Sequence, residues 1–391
     1  MGLKKNNIEY TILEKEIDIQ AFKDSIFEYF SSIDDPREDH KIIYSLPNLF
    51  FIILSAVLAG ANSIYQIASF AKAKRKWIQN LIGIETTPTY GVFWWILVRL
   101  NPQFLRELLK GWLKVLPDGL REQVLAIDGK HLRGTENHLN SALHLVSLFS
   151  VDNGLILVEE PVKSKSNEIA AIPKILEEID IQGAIITIDA IGCQKKIAKQ
   201  ICERGADYVL ALKGNAGLIY DEIVQYFQEA KEAGYEYLDH SYYSENENNH
   251  GRSVIREIRY VQDIEWLPQL HDWKSLKGFA QVVCQRTEKG KTSIEHRYYI
   301  TSVLRDGKQL ARIIRSHWKI ENHQHRQLDI NFMEDDSSAN TGYAAENLAI
   351  FRRMALNILG PGKGLMDRRR NAAWNEDYLT ELVGKFFIKS F

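Results

Sequence analysis

Two aspartates follow short apolar runs that could be neighbouring strands of one sheet. Asp128 lies in VLAIDGK (Val124–Lys130), and Asp189 lies in AIITIDA (Ala184–Ala190). Both runs are typical of buried strands, and side chains at the carboxyl ends of neighbouring strands collect at one edge of a sheet. Two carboxylates there repel each other unless a cation neutralises them. Mg²⁺ or Mn²⁺ accepts such ligands, and two ions about 3.5–4 Å apart can promote phosphodiester displacement.

Each aspartate also has a structural alternative. Asp128 precedes a glycine, and Asp-Gly pairs are common in turns. Asp189 lies shortly before a predicted helix from Gln194 to Arg204, and aspartate commonly caps a first helical turn. A third acid is therefore needed before metal chemistry is favoured over local backbone capping.

The segment RSHWKIENHQHRQLD supplies a candidate third acid, Glu321. Helical spacing places His317, Glu321, His325 and Leu328 on one face, which could present an acid with basic neighbours to a metal-bound phosphate. The same row resembles a set of zinc ligands but lacks the HExxH spacing of helical zinc sites. A competing source of the third acid is the trio Glu334, Asp335 and Asp336, for which helix capping is the structural alternative.

Basic and polar residues near the three acids are candidate DNA contacts. Those that follow the first two acids could bind flanking phosphates, and those near Glu321 could steer the scissile strand. Each could equally be a solvated surface residue. The candidates are Lys130, His131, Arg133, Lys213, Arg315, His317, Lys319, His325 and Arg326, with Gln194 and Lys195 as further possibilities.

The order of the predicted elements is that of an α/β protein with a mixed sheet. Residues from about 20 to 116 are predicted to be helical, and a β-β-β-α-β-α-β series runs from residue 122 to residue 215. Residues 216–235 are predicted to form a helix and 236–250 a polar loop. Strand-like runs follow to about residue 300, and helices run from Gly307 to Leu359 with a break near Glu334–Gly342.

This order predicts four parts. They are an N-terminal helical domain (1–118) that could bind DNA, a catalytic domain (119–215 plus 297–360), a β-rich insertion (216–296) and a C-terminal tail (361–391).

Composition and charge limit the protein class. The chain has 391 residues, of which 45% are hydrophobic and 26% charged, as in ordinary globular proteins. Its three cysteines favour a reducing cytosol over a disulfide framework. The most apolar stretch, Leu49–Ala61, has 13 residues, whereas a membrane-spanning helix needs about 20, so we expect a buried core helix and no membrane anchor.

The formal charge of −2 does not by itself indicate a nucleic-acid binder, but the charges are segregated along the chain. Six Lys or Arg residues lie between Arg305 and Arg326, whereas acids dominate between Asp221 and Glu247. The basic segments could contact phosphates.

Several motifs resemble the conserved blocks of ISAs-type DDE transposases, also called H-repeat-associated proteins. They are VLAIDGKHLRGT, KSNEIAAIPKIL, TIDAIGCQKKIAKQI, DYVLALKGN, HWKIENHQHRQLDINFMEDDS and AENLAIFRRMALNIL. The segments DPREDH and LAGANSIYQIASFAK are similar to the N-terminal domain associated with that family. The resemblance covers residues 28 to 360, and the motifs agree in order.

The resemblance implies a ribonuclease-H-like mixed sheet with flanking helices, a β-rich insertion and an N-terminal all-α domain. It implies cleavage at the ends of an insertion element and joining of the 3′-hydroxyl to target DNA, with Mg²⁺ as cofactor and Mn²⁺ able to substitute. Double-stranded DNA is the implied partner, a homodimer the implied assembly, and the cytoplasm, at the nucleoid, the implied location. By motif, the metal-binding acids are Asp128, Asp189 and Glu321.

The last block departs from the wider group of transposases with such an insertion. That group carries a tyrosine, an arginine and a lysine around the glutamate, where this chain has Ile314, His317 and Leu328. Arg326 stands where the family usually has a tryptophan, and TPTYGVFWWI differs from the expected pattern near residue 90. Two rival interpretations stay open: a nuclease that cuts without joining, and a DNA-binding protein without catalysis.

Overall fold

The computed structural model describes residues 35, 37, 40, 42–110, 120–136, 142–162, 167–236, 238–249, 251–360 and 362–389. Residues 20–34 and 111–116, which were predicted to be helical, lie outside this part of the chain. The first five described helices are α1 Leu46–Leu58, α2 Ile64–Ala73, α3 Arg75–Ile82, α4 Tyr90–Arg99 and α5 Pro102–Lys110. The predicted helical character of this region is thus confirmed where the structure describes it.

Helix α1 is the core of the N-terminal layer. Ser45 caps it by accepting a hydrogen bond of 3.4 Å from the Asn48 backbone amide, and all 13 residues of the helix are buried. The apolar stretch is therefore a core helix, as its length predicted. None of the described helices is long and apolar enough to cross a membrane.

A single mixed sheet of nine strands forms the centre of the described chain. The strands are β1 Val124–Leu132, β2 Leu143–Ser150, β3 Leu155–Val162, β4 Ile185–Ile188, β5 Asp207–Leu212, β6 Ser241–Asn249, β7 Arg252–Val261, β8 Gly278–Glu288 and β9 Lys291–Thr301. Their spatial order is β3-β2-β1-β4-β5-β9-β8-β7-β6. Strand β1 is parallel to β4, β4 is parallel to β5, and every other neighbouring pair is antiparallel.

The first five strands have the predicted ribonuclease-H-like arrangement. Strands β1 to β3 form a meander, with Asp152–Gly154 in the tight turn between β2 and β3. Helices α6 Glu168–Glu177 and α7 Lys195–Glu203 connect the remaining strands of this half and pack with α8 Leu218–Glu232 on one face of the sheet. Because β1 and β4 are parallel neighbours, the sequence pattern predicted correctly that both acids would lie at one edge.

The strands of the predicted insertion continue this sheet instead of forming a separate one. Strand β9 pairs with both β5 and β8, so it spans the predicted boundary between residues 296 and 297. The domain boundaries themselves stay predictions. The prediction of a loop over 236–250 was wrong, because Ser241–Asn249 is the edge strand β6. Its sequence SYYSENENN has no apolar alternation, because the strand pairs only with β7 and its residues alternate between half-buried and exposed over 241–248.

The remaining helices cover the other face of the sheet and complete the core. They are α9 Gly307–Lys319, a π-helical segment Ile320–His325, α10 Arg326–Phe332, α11 Ala344–Leu359, α12 Leu365–Trp374 and α13 Glu376–Lys389. Helix α9 packs across β1 and β4, and α11 packs against α1, α4 and α5. The predicted break between helices is confirmed, because 333–343 is not helical and Met333 has a φ of 50°. The predicted C-terminal tail contains α12 and α13.

Candidate active site

Asp128 and Asp189 both follow the last pair of the parallel ladder between β1 and β4. That last pair is Ile127 opposite Ile188. Strand β1 itself does not end at Asp128, because its antiparallel pairing with β2 continues as far as Leu132. The expectation that Asp128 ends its strand is corrected accordingly. The turn alternative is also wrong, because the glycine that follows Asp128 pairs within the ladder.

Asp189 combines a local structural role with its place beside Asp128. Its Oδ1 accepts a hydrogen bond of 3.0 Å from the Ile191 amide and so caps the 3₁₀ turn Ala190–Gly192. Gln194, not Asp189, occupies the N-cap position of helix α7, and its side chain makes no capping hydrogen bond. The capping alternative for Asp189 therefore holds for the short 3₁₀ turn only.

Glu321 and His325 approach Asp128 from the π-helical segment that follows α9. The Nδ1 of His325 lies 3.7 Å from Asp128 Oδ2 and 3.7 Å from Glu321 Oε2. Each of these three residues offers one possible metal-ligand atom, and the three atoms lie within 4.8 Å of one another. In the described part of the chain, these residues form the close group of possible metal ligands. Asp189 is not a member of that group. Glu321 is 60% exposed, whereas the Asp128 and His325 side chains are 15% and 10% exposed.

The electrostatics of this group favour the binding of a cation. Burial raises the pKa of the Asp128 carboxyl to about 7; His325 lowers this pKa, and the charges of Glu321 and Asp189 raise it. The nearby imidazole of His325 lowers the pKa of Glu321. Because a divalent cation would remove the repulsion between the carboxylates, the donor set of two carboxylates and one imidazole fits such an ion.

His317, which was predicted to lie on one face with Glu321 and His325, contacts strand β4. Its Nδ1 lies 3.0 Å from Thr187 Oγ1, on β4. Burial lowers the pKa of His317 to about 4, so its ring is neutral at physiological pH. The row that resembled zinc ligands is therefore not assembled, since His317 is not in the close group with Glu321 and His325.

The acidic trio does not cap a helix, contrary to the structural alternative. Glu334, Asp335 and Asp336 lie well before the first residue of α11 and outside its first turn. Glu334 is fully buried and forms an ion pair with Arg353. Asp335 lies 3.5 Å from the Lys130 amine. Two members of the trio thus have basic partners away from the Asp128 group.

The predicted DNA contacts fall into two classes. Lys130 is 6% exposed and donates a hydrogen bond of 2.6 Å to Asp329, so it lies inside an ion cluster. Arg315 is paired with Glu245 and Glu247. Lys195 is paired with Asp272 at 2.6 Å. Five others lie at the surface: Arg133, which is 82% exposed, and His131, Lys213, Lys319 and Arg326. His325 is buried, and His317 and Gln194 are half-buried, so these three are not surface contacts.

A buried polar network beneath the site was missed by sequence reasoning. Gln324 donates to Ser147, Ser147 donates to Glu159 at 3.3 Å, and Arg353 donates to both Glu159 and Glu334. Arg353 is fully buried. Two adjacent arginines within the otherwise apolar AENLAIFRRMALNIL were the signal that could have indicated it, because a buried charge requires a partner.

Two of the three substituted positions of the last block lie in the hydrophobic core. Ile314 is 7% exposed and Leu328 is fully buried, and both belong to the cluster between the sheet and the C-terminal helices. Apolar side chains fill these two positions here, so neither offers a polar group to the site.

Family profiles and known relatives match most of the chain. The family profile "Transposase DDE domain" matches residues 119–358, and the profile "DDE_Tnp_1-associated" matches residues 27–113. "Putative transposase YncI" of Escherichia coli O157:H7 is 32% identical over 371 residues, covering 92% of this chain and 94% of that protein. "H repeat-associated putative transposase YhhI" of Escherichia coli K12 is also 32% identical, covering 92% of this chain and 97% of that protein.

A solved structure, a piggyBac transposase synaptic complex with hairpin DNA, has a TM-score of 0.42 at 9% identity, covering 94% of this chain and 79% of that one. DDE domains use divalent metal ions and catalyse nuclease or transferase reactions in general. Because the transposase profile spans more than half of the sequence and the relatives match nearly all of it, the chain belongs to the DDE transposase family of H repeat-associated proteins.

Proposed function

We propose that this protein is the transposase of an insertion sequence, which cuts phosphodiesters at the element ends and joins the freed 3′-hydroxyl to target DNA. The observation that carries this proposal is the meeting of Asp128 with Glu321 at the end of the β1–β4 ladder, beside Asp189. Carboxylates brought together from two strands and one helical segment repel one another, and a bound cation would remove this repulsion.

In the proposed site, Asp128, Asp189 and Glu321 hold divalent metal, with Mg²⁺ as the physiological ion and Mn²⁺ able to substitute. When bound, the metal supplies Lewis-acid stabilisation of the attacking and leaving oxygens. The chain's own contribution is to fix the carboxylates. The ladder positions both aspartates, and packing of the π-helical segment against β1 positions Glu321.

Two displacements at phosphorus make up the proposed reaction. In the first, water forms the new P–O bond and loses a proton to solvent, the P–O3′ bond at the element end breaks, and the leaving 3′-oxygen takes up a proton to become a hydroxyl. In the second, this 3′-hydroxyl loses its proton and its oxygen bonds to a target phosphorus, while the target P–O3′ bond breaks and the leaving 3′-oxygen is protonated by solvent. Neither step needs a covalent bond to the protein.

DNA is held, in this proposal, by the exposed basic residues around the acids. Arg133 follows β1, Lys213 follows β5, and Lys319 and Arg326 flank the π-helical segment. All four face solvent, so they can contact phosphates without first breaking a buried pair. We further propose that a homodimer brings two element ends together and that the protein acts in the cytoplasm, at the nucleoid.

The test is a cleavage and strand-transfer assay on DNA that carries the repeats flanking the encoding element. Wild type is compared with Asp128→Asn, Asp189→Asn and Glu321→Gln, and DNA binding is measured in parallel. We expect Mg²⁺-dependent cutting and joining by wild type and loss of both in each variant, with DNA binding kept.

Other outcomes separate the rivals. Cutting without joining would make the protein a nuclease. DNA binding by wild type without any cutting in Mg²⁺ or Mn²⁺ would make it a binding protein that has lost catalysis. Full activity of Glu321→Gln would remove Glu321 from the metal site.

A further inference from the structure

We propose that His325 is itself a metal ligand, so that Asp128, Glu321 and His325 bind one divalent ion through two oxygens and one nitrogen. The proposal rests on the proposed function only in requiring a divalent ion at these acids. It adds a nitrogen donor to the three carboxylates of the proposed site, and it changes which ions the site should prefer.

The distances around His325 leave space for an ion. Its Nδ1 is equidistant, at 3.7 Å, from one oxygen of Asp128 and one oxygen of Glu321. This separation is longer than an N–H···O hydrogen bond. Ligand atoms at about 2.1 Å from one octahedral ion lie about 3 to 4.2 Å from each other. The observed separations fall within that range, so small side-chain movements would complete the coordination.

The surroundings of the imidazole give a second, independent observation. His325 is 8% exposed, and its Nε2 is buried without a hydrogen-bond partner among the described residues. A buried ring with an unpaired nitrogen costs free energy. Coordination through Nδ1, the nitrogen that faces the carboxylates, would offset that cost although it leaves Nε2 itself unpaired.

The backbone that carries His325 is also specialised. Residues Ile320–His325 form a π-helix, a rare conformation that is frequent at functional sites. The fully buried Gln324 ties this segment to Ser147, which is the residue opposite Asp128 in the β1–β2 ladder. The position of His325 beside Asp128 is therefore fixed by the core and does not depend on a mobile surface side chain.

A nitrogen donor predicts a particular ion preference. Mg²⁺ is held mainly by oxygen ligands and keeps several waters, whereas imidazole suits first-row transition ions. We therefore expect Mn²⁺ to bind this protein more tightly than Mg²⁺ and to lose more affinity than Mg²⁺ when His325 is replaced.

The experiment is pulsed electron paramagnetic resonance on the full chain loaded with Mn²⁺ alone, without DNA. A bound imidazole nitrogen gives a nitrogen hyperfine coupling, whose pattern changes when histidine carries the heavier nitrogen isotope. We expect this coupling in wild type and its loss in His325→Gln, with Mn²⁺ affinity reduced roughly 10- to 100-fold. His323→Gln is the matched control, because His323 lies on the same π-helical segment but outside the close group.

Several results would overturn the proposal. They are bound Mn²⁺ without nitrogen coupling, coupling that persists in His325→Gln, and no Mn²⁺ binding at millimolar concentration. If cleavage activity is intact, either of the first two results would leave the proposed function standing, with His325 beside the metal site but not bound to the ion. Conversely, nitrogen coupling in a protein that fails to cut DNA would retain His325 as a ligand and count against the proposed function.

Discussion

Gln324 donates a hydrogen bond of 2.7 Å to Ser147, and both side chains are fully buried. Ser147 lies opposite Asp128 in the β1–β2 ladder, and Gln324 is the neighbour of His325 in the π-helical segment. This bond therefore couples β2, the strand paired with the one that carries the first acid, to the segment that carries Glu321. Asp128 and Glu321 are far apart in sequence, and this buried bond helps to keep the two segments that carry them side by side.

Removing this bond should weaken metal binding while the protein stays folded. We expect Gln324→Leu and Ser147→Ala each to reduce Mn²⁺ affinity several-fold, because the π-helical segment loses its tie to β2. The double variant should bind Mn²⁺ about as weakly as either single variant, because all three variants lack the same hydrogen bond. Metal titration checks this, and losses that simply add would show that the two residues act independently.

The buried ion pairs of Arg353 should dominate stability. Glu334→Gln leaves a fully buried arginine short of one partner, so we expect the free energy of unfolding to fall by about 3–5 kcal/mol. Glu288→Gln removes an exposed partner of Arg286 and should cost less than about 1 kcal/mol. Urea unfolding of both variants measures the difference. Equal losses of unfolding free energy in the two variants would contradict a structural role for Glu334. Glu334 would then again be a candidate for the third metal ligand.

Lys130 and Arg133 should differ in their contribution to DNA binding. Lys130 is buried against Asp329, whereas Arg133 is 82% exposed. We expect Arg133→Met to reduce the salt dependence of DNA affinity by about 0.9 in log–log slope, because one phosphate contact is lost. Lys130→Met should leave that slope unchanged and lower the melting temperature instead. A reduced slope for Lys130→Met would identify Lys130 as a phosphate contact after all.

The raised pKa of Asp128 predicts a pH dependence in the metal-free protein. This pKa is about 7 in the folded protein against an ordinary value of 3.8, so the folded state binds the proton more tightly than the unfolded state. The resulting stability is complete below about pH 4 and is lost as pH rises through about 7. We expect wild type in chelator to lose more stability than Asp128→Asn between about pH 5 and pH 7.

Melting temperatures across this pH range, with and without Mn²⁺, test the prediction. Above pH 7, Mn²⁺ should raise the melting temperature of wild type but not that of Asp128→Asn, because the ion replaces the lost proton. Parallel pH curves for the two chelated proteins would show that Asp128 titrates normally.

The central half of the fold could be predicted from sequence because its signals are local. The apolar runs around Asp128 and Asp189 are short, β-branched and bounded by turn residues, so they indicated strands and their order. The parallel pairing of β1 and β4 then follows from the helix between them, and it accounts for the proximity of the two acids.

Other features depend on tertiary contacts that leave little trace in the sequence. Strand β6 is polar because it is an edge strand, so its sequence resembled a loop. The helical spacing of His317 and Glu321 suggested one common face, but the ring of His317 turns to Thr187. The burial of Lys130 by Asp329 joins residues 199 positions apart, which periodicity cannot detect.

The most direct test of the central claim is the metal that supports DNA cleavage by cysteine variants of the acids. Thiolate ligands bind softer ions than carboxylates do. We predict that Asp128→Cys, Asp189→Cys and Glu321→Cys lose cleavage in Mg²⁺ by about a hundredfold or more and recover part of it in Cd²⁺. Asp336→Cys, from the competing acidic trio, should cut normally in Mg²⁺. Cleavage at the wild-type rate in Mg²⁺ by the Asp128 or Asp189 variant would contradict the account.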